Sequence, residues 1–461
     1  MRRHLVLAVT AAAGMMWLGG TAHAAPLANT TYTVKAGDTL SGIGGRCGVD
    51  WKKIQTANRL ANPNRISPGT TLTIPGASSC AAAKPAAPRQ APAEAAAPAD
   101  GAVPQADTAP VAVAAAPVAA APAGFGYGIQ VHAPDGDQRA IDAVGDIGFN
   151  WVKQQIEWFR YEGSQGDASF GGLDNLVNQA NAKGINVMFS VAKAPDWARA
   201  GNSDRGVAGP PADPGTMASF MGRMAEHFRG RVKAYEIWNE QNLHYEWGNE
   251  PLSAGRYVQL LCASYRSIKA ADPGAVVVSG ALTPTGVNNG QAMDDVNYLG
   301  QMYAAGLRGC ANAVGAHPSG YNKPATAGVG WSAPGKTDFS GHRSFYFQGT
   351  MLAYRNVMAR YGDGGKKIWA TEFGWASVEN MGAGPAPGYG YAAQNSEGEQ
   401  AQYLVDAFNM ARSWGFVGPM FVWNLNFAPV AGNADEKAAF SIVRNDWAPR
   451  PAYERLKAMP K

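Results

Sequence analysis

Along residues 124–461, short β-branched or apolar runs alternate with amphipathic stretches at helical spacing, the pattern of repeated βα units. Eight runs read as strands: Tyr127–Val131, Trp151–Ile156, Asn186–Val191, Ala234–Trp238, Val276–Ala281, Ala313–Ala316, Ile368–Thr371 and Met420–Asn424. Leu173–Lys183, Thr216–Phe228, Ala254–Ala270 and Glu397–Ser413 read as helices between them. Eight such units over this length predict an α/β fold, a closed (β/α)8 TIM barrel, because a doubly wound sheet usually has fewer strands. Ahead of the barrel, residues 30–75 show apolar alternation at both ends and two helical segments between, a small βααβ module. Residues 76–123 are dominated by Ala and Pro. Such a stretch buries too little apolar surface to repay its ordering entropy, so a disordered linker is predicted.

The first residues have another pattern. Arg2 and Arg3 precede an apolar run from Leu5 to Leu18, and Ala22-His23-Ala24 offers a small-x-small cleavage site. Residues 1–24 are predicted to be a signal peptide. The run is shorter than the ~20 residues a membrane span needs, and no later segment approaches that length. The mature protein is expected outside the cytoplasm: secreted, periplasmic or associated with the cell envelope. Four cysteines, Cys47, Cys80, Cys262 and Cys310, form no C-x-x-C pair. An even count in an exported chain points to disulfides rather than a zinc site. Three pairings exist; Cys47–Cys80 with Cys262–Cys310 keeps each bridge inside one predicted domain. The net charge of +4 is small for 461 residues and does not suggest nucleic acid. Residues 30–75 hold Lys35, Arg46, Lys52, Lys53, Arg59 and Arg65 against Asp38 and Asp50, a basic face suited to solubility or to an acidic polymer.

The small module resembles LysM over its whole length. It opens Tyr32-Thr33-Val34-Lys35-Ala36-Gly37-Asp38-Thr39-Leu40, passes through Asn58-Arg59-Leu60, and closes with Pro68-Gly69 and Leu72-Thr73-Ile74-Pro75. The resemblance implies binding of N-acetylglucosamine-containing glycan, peptidoglycan or chitin-like, in a groove near Gly37-Asp38-Thr39 and Asn62-Pro63. Asp38 also suits a helix N-cap.

In a TIM barrel the chemistry sits at the C-terminal ends of strands. The fourth predicted strand ends Tyr235-Glu236-Ile237-Trp238-Asn239-Glu240, and the seventh ends Ile368-Trp369-Ala370-Thr371-Glu372-Phe373-Gly374-Trp375. Period-two alternation groups Glu240 with Trp238 and Glu372 with Ala370, and both glutamates are expected to point into the barrel mouth. Asn-Glu on the fourth strand with Glu on the seventh resembles the clan A retaining glycoside hydrolases. Ala194-Pro195-Asp196-Trp197-Ala198 and Gly315-Ala316-His317-Pro318 resemble family 39. The resemblance implies Glu240 as general acid/base, Glu372 as nucleophile, and Asn239 as a ligand of the sugar 2-hydroxyl. Retention requires the two carboxyls roughly 5–5.5 Å apart, against ~6.5–9.5 Å for inversion. Burial and the neighbouring negative charge are expected to raise the Glu240 pKa. Glu236, on the same face, is expected deeper, below the sugar.

Other residues follow with less support. The clan resemblance implies Trp423, at the end of the eighth predicted strand, as an aromatic platform under the sugar, and Trp158, Trp197, Trp247 and Trp375 are candidates of the same kind. His317 and Tyr321 fall where the clan has a His and a Tyr bonding the nucleophile, at longer spacing. Lys153 stands where relatives often carry Arg, a different donor. Gly330-Trp331-Ser332-Ala333-Pro334-Gly335-Lys336-Thr337 fits a phosphate-loop pattern, but it lies in a Gly- and Pro-rich loop without the strand and helix that motif needs. The sequence has no G-x-S-x-G and no H-E-x-x-H. The expectation is a monomeric, cofactor-free and metal-free hydrolase of a β-linked polysaccharide, with a non-catalytic glycan-binding barrel as the alternative.

Overall fold

A computed structural model describes residues 29–35, 40–47, 49–60, 69–77, 80, 124–336 and 341–461. The predicted signal peptide lies outside the described residues, as do Gly37-Asp38-Thr39, Asn62-Pro63 and most of the predicted linker. Of the linker, Ala77 is buried in the core of the small module and Cys80 is bonded to Cys47, so the ordered module extends past residue 75. The described residues fall into two units, one on each side of residue 110.

In the first unit, β1 (Thr30–Thr33) pairs antiparallel with β2 (Thr71–Ile74), with Thr30 opposite Ile74. Helices Leu40–Cys47 and Trp51–Ala57 lie between them in sequence. The second is capped by Asp50, whose carboxylate accepts from the Lys52 N–H. Leu40, Ile43, Ile54, Leu72 and Ile74 form the core. Asn58 clamps a helix end to a strand: its side chain donates to the carbonyls of Ile54 and Thr73 and accepts from the Thr73 N–H.

The second unit is a closed barrel of eight parallel strands. They are β3 (Tyr127–Val131), β4 (Trp151–Glu157), β5 (Asn186–Ala192), β6 (Val232–Ile237), β7 (Val276–Ser279), β8 (Ala313–Ala316), β9 (Lys367–Phe373) and β10 (Val417–Val422). All eight predicted strands are present, and β10 closes on β3. Each strand has an apolar outer face against its helices and an inner face toward the barrel axis. Trp151, Met188, Ala234, Val276, Val278, Ala313, Trp369 and Phe421 pack together as the inner plug. That plug fills the barrel, so polar groups above it face upward toward the strands' C-terminal ends.

The helices start where the sequence caps them. Ser396 and Glu399 form a reciprocal capping box ahead of Glu397–Ser413, and Asp213 with Pro214 opens Pro214–His227. Cys47 bonds Cys80, and Cys262 bonds Cys310, the pairing that keeps each bridge within one unit. No helix among the described residues is long and apolar enough to cross a membrane.

The Cys262–Cys310 bridge ties together positions 48 residues apart. Replacing both by Ser should lower the unfolding free energy of the barrel by about 2–4 kcal/mol. Urea unfolding of the double variant measures this, and an unchanged midpoint would contradict it.

Candidate active site

The site begins one layer above the apolar plug. Lys153, on the inner face of β4, has no exposed side-chain surface. Its ammonium donates to Glu372 Oε1 at 2.8 Å and to the Thr371 carbonyl at 3.1 Å, and lies 3.3 Å from Glu236 Oε2. Burial pulls its pKa down, but the Glu236 and Glu372 carboxylates outweigh that and hold it above the usual lysine range. Glu236 is fully buried, and its other oxygen accepts from the Thr371 hydroxyl at 2.7 Å and the Ala281 N–H at 3.2 Å. It sits in the floor rather than the mouth.

Strict alternation does not explain how Glu372 reaches this place. Trp369 belongs to the inner plug and Thr371 bonds Glu236, so the odd-numbered residues of β9 face inward, whereas Ala370 packs in the outer core. Regular pleating would turn Glu372 outward with Ala370. The register with β10 is irregular here: Ala370 opposes Met420, yet Phe373 opposes Val422. The extra residue on β9 re-aims the side chain, so Thr371 and Glu372 both meet the Lys153–Glu236 layer.

Glu240 is redirected differently. Trp238 has φ 75° and Glu240 has φ 47°, left-handed conformations that side chains with a Cβ adopt at a cost. The Trp238 N–H donates to the Val191 carbonyl at 2.8 Å, and the Glu240 N–H to the Ala281 carbonyl at 2.9 Å. The Trp238 indole donates to the Glu246 carbonyl. Gly280 completes the fit: a Cβ there would lie 2.6 Å from the Ile237 carbonyl oxygen. Trp238 is consequently turned into the outer core, and does not share a face with Glu240.

His317, one residue past β8, joins the two glutamates. Its Nδ1 lies 2.8 Å from Glu240 Oε1 and 3.9 Å from Glu372 Oε2. Those two oxygens are thus no farther apart than the sum of these distances, 6.7 Å. Water reaches both carboxylates, since the side chains are 22% and 15% exposed. The expected rise in the Glu240 pKa is corrected. Burial does push it up, but the His317 hydrogen bond and the charges of His317 and Lys153 hold this carboxyl below its usual range. For His317, burial pulls down while the Glu372 charge and the Glu240 bond outweigh it and raise the pKa. The proton shared by this pair therefore resides mainly on the imidazole. The expected partner of His317 is also corrected: His317 bonds Glu240, and Glu372 accepts from Lys153.

Asn239 is buried and its Oδ1 has no protein partner, an acceptor left for a ligand. Trp423, half-buried, packs beside Tyr391 and Phe440 and lies 5.5 Å from the Phe427 ring. Tyr321 packs on Phe345 and Tyr391. Burial, then the Glu240 charge, pushes its phenol up, which puts it within electrostatic reach of the pair. Trp158 is not at the mouth. It is fully buried, donates to Glu162 Oε2 at 2.6 Å and stacks on Phe220. Trp247 and Trp375 are core as well.

Glu246 carries no motif in the sequence and emerges only from the fold. It ends the short 3-10 turn His244–Glu246 that follows Glu240. Burial first, then the charges of Glu240 and Glu372, push its pKa from 4.5 to about 7. Tyr245, next to it, is 47% exposed, and its phenol too is pushed up by burial and then by Glu240.

Comparison with known proteins adds family information to this geometry. The model of the LysM domain matches residues 32–75. The model of cellulase, glycosyl hydrolase family 5, matches residues 113–307. N-acetylmuramoyl-L-alanine amidase sle1 of Staphylococcus saprophyticus is 52% identical over 50 residues, 11% of this chain and 15% of that protein. Membrane-bound lytic murein transglycosylase D of Escherichia coli K12 is 46% identical over 54 residues, 12% of each. The matched stretch is thus a small part of each relative's length. A family 39 glycoside hydrolase from the gut symbiont Bacteroides cellulosilyticus WH2 shares the fold with a TM-score of 0.56 at 17% identity, covering 73% of this chain and 63% of that one. A glucosidase from Croceicoccus marinus does so at 0.51 and 12% identity, covering 73% and 67%. The chain joins a LysM match to a closed TIM barrel, and the family 5 match falls on part of that second unit. The matching family model is that of family 5, and the likeness to family 39 is one of fold.

The Glu246 shift has a sign that can be measured. Between pH 4.5 and about 7 the folded chain keeps a proton that the unfolded chain has lost, so stability falls as pH rises through that window. Glu246→Gln should leave Tm unchanged near pH 4 and raise it by about 2–4 °C at pH 7.5. Scanning calorimetry at both pH values checks this; an equal difference at the two would contradict it.

Proposed function

We propose that this protein is a secreted, retaining glycoside hydrolase that cleaves O-glycosidic bonds of a β-linked polysaccharide and is held at envelope glycan by its LysM domain. The observation that carries the reading is the meeting of Glu240 and Glu372, from distant parts of the chain, around His317 in one water-accessible hollow. A separation of at most 6.7 Å between these two oxygens is compatible with the ~5–5.5 Å of double displacement. The family model match over residues 113–307 and the LysM match support the glycan-acting class. The names of the two relatives matched over this short stretch refer to cell-wall chemistry, which favours peptidoglycan as the anchoring polymer.

Each side chain then has a task. Lys153 fixes Glu372 Oε1, which leaves Oε2 to attack the anomeric carbon. Glu240 receives the Nδ1 proton of His317 and passes it to the departing oxygen, the carbon–oxygen bond breaks, and a glycosyl ester forms on Glu372. The Nδ1–H of His317, 2.8 Å from Glu240 Oε1, is the adjacent proton store. In the second step Glu240 takes a proton from water, which attacks the same carbon and releases the sugar with its configuration kept. Asn239 Oδ1 accepts from a sugar hydroxyl, and Trp423 offers its ring to the sugar's C–H face. Tyr321 lies within electrostatic reach of Glu240.

The test is a panel of β-linked polysaccharides scored for new reducing ends. Glu372→Gln should abolish turnover in a chain that still folds, with a lower Tm because Lys153 loses one of its two carboxylates, and Glu240→Gln should lower kcat by about 10²–10⁴. NMR of the first product should show the anomeric configuration of the substrate. Inverted product would exclude double displacement; full activity of Glu372→Gln would exclude that residue as nucleophile. Sugar binding without any turnover would leave a non-catalytic glycan binder.

A further inference from the structure

One wall of the barrel mouth holds charge that hydrolysis does not use. At the ends of β4 and β5 a groove of about 720 Å³ is bordered by Glu157, Phe159, Lys193, Trp197, Arg199 and Arg205. Glu157 ends the strand whose Lys153 holds Glu372, and Lys193 directly follows β5, the neighbour of β6. The Lys193 charge acts on Glu246, as do the charges of Glu240 and Glu372. Groove and carboxylate pair are therefore neighbours at one end of the barrel.

The charges there do not cancel. Glu157 is shared by two cations, Lys193 at 2.5 Å and Arg160, so this trio keeps one net positive charge. Arg205 faces Asp196, which also borders the groove, at 3.6 Å; that carboxylate is 78% exposed and the pair is weak, so it cancels one cation of the wall and leaves the others. Arg199 is buried and donates to the carbonyls of Val207 and Asp204 rather than to a carboxylate. Its charge is a second one without an acidic partner in contact. Lys193 is also held in the left-handed region at φ 60°, with its carbonyl fixed by the Phe159 N–H at 3.2 Å. Strain of this kind persists where the surroundings enforce it and clusters at ligand sites. Phe159, 45% exposed, adds an apolar ring against which a sugar face can lie.

A neutral sugar chain would give these cations nothing to bind, whereas a carboxylate suits both the ammonium and the forked guanidinium. We infer that this groove is a subsite for an acidic sugar, a uronate or similarly carboxylated unit, of the polysaccharide whose nearby bond the glutamate pair cleaves. The inference rests on the hydrolase reading for its place in catalysis, but its binding chemistry is separately testable.

The full-length Glu372→Gln protein binds without turning over, so calorimetric titration isolates the groove. The probes are hexamers of glucuronate, mannuronate and galacturonate, each paired with its carboxyl-reduced form. At least one acidic hexamer should bind tenfold or more tightly than its reduced partner at 50 mM NaCl, and the ratio should shrink at 500 mM. Adding Lys193→Met and Arg205→Gln should erase the preference. Arg205→Gln alone, at a solvent-facing position, should cut it at least threefold, and it guards against misfolding of the double change. The double variant also separates the groove from the basic LysM domain, which it leaves intact. Equal affinity for every acidic and reduced pair, no binding of any hexamer, or a preference that survives the double variant would overturn the inference. Turnover of a neutral polysaccharide by the unmodified protein would still uphold the hydrolase reading. Charge-selective binding with no turnover of any polymer would keep the groove and remove the hydrolase.

Discussion

The barrel mouth is organised around one buried cation. The Lys153 ammonium has no contact with water, and an unpaired charge in such surroundings costs several kcal/mol. It is tolerated because Glu236 and Glu372 flank it and the Thr371 carbonyl accepts one of its protons. The same contacts set the height and direction of Glu372. A structural ion pair and the orientation of the proposed nucleophile are one interaction, and neither can be altered alone.

Around that centre the hollow is a graded field. Glu240 is held low by His317, while Glu246, a few residues on, is held near 7 by burial and by its carboxylate neighbours. Two glutamates of one loop therefore differ in charge near neutrality because one has a hydrogen-bonding cation and the other has not. His317 carries the proton that Glu240 lacks, and its Nε2 is buried without a partner.

The walls are tied to one another by side chains that the sequence presents as something else. Lys336, from the phosphate-loop-like stretch, donates to the Gln394 carbonyl, Asn395 and Glu399. It fastens the loop after β8 to the start of the helix that follows β9, an occupation that leaves it unavailable for phosphate. Trp375, a candidate sugar platform by position, donates to the Lys323 carbonyl and packs so tightly on Gly320 that a Cβ there would lie 2.2 Å from its indole nitrogen. Arg450, fully buried, binds Glu397 and three carbonyls.

The sequence by itself determined the eight strands, because an apolar run between turn residues carries its own signal, and it singled out the two candidate glutamates, because each stands at or just past the C-terminal end of a strand. It also led to the disulfide pairing, through domain position alone. The tertiary structure decided the rest. Alternation specifies a face only while a strand is regular, and both glutamates stand where regularity ends: a register irregularity turns Glu372 inward, and left-handed residues redirect Glu240. Tryptophans look alike in a sequence, whether buried like Trp158 or half-open like Trp423. The protonation of Glu240 and His317 depends on partners from other strands and loops, and a charge far away along the chain is invisible until folding brings it within a few ångströms.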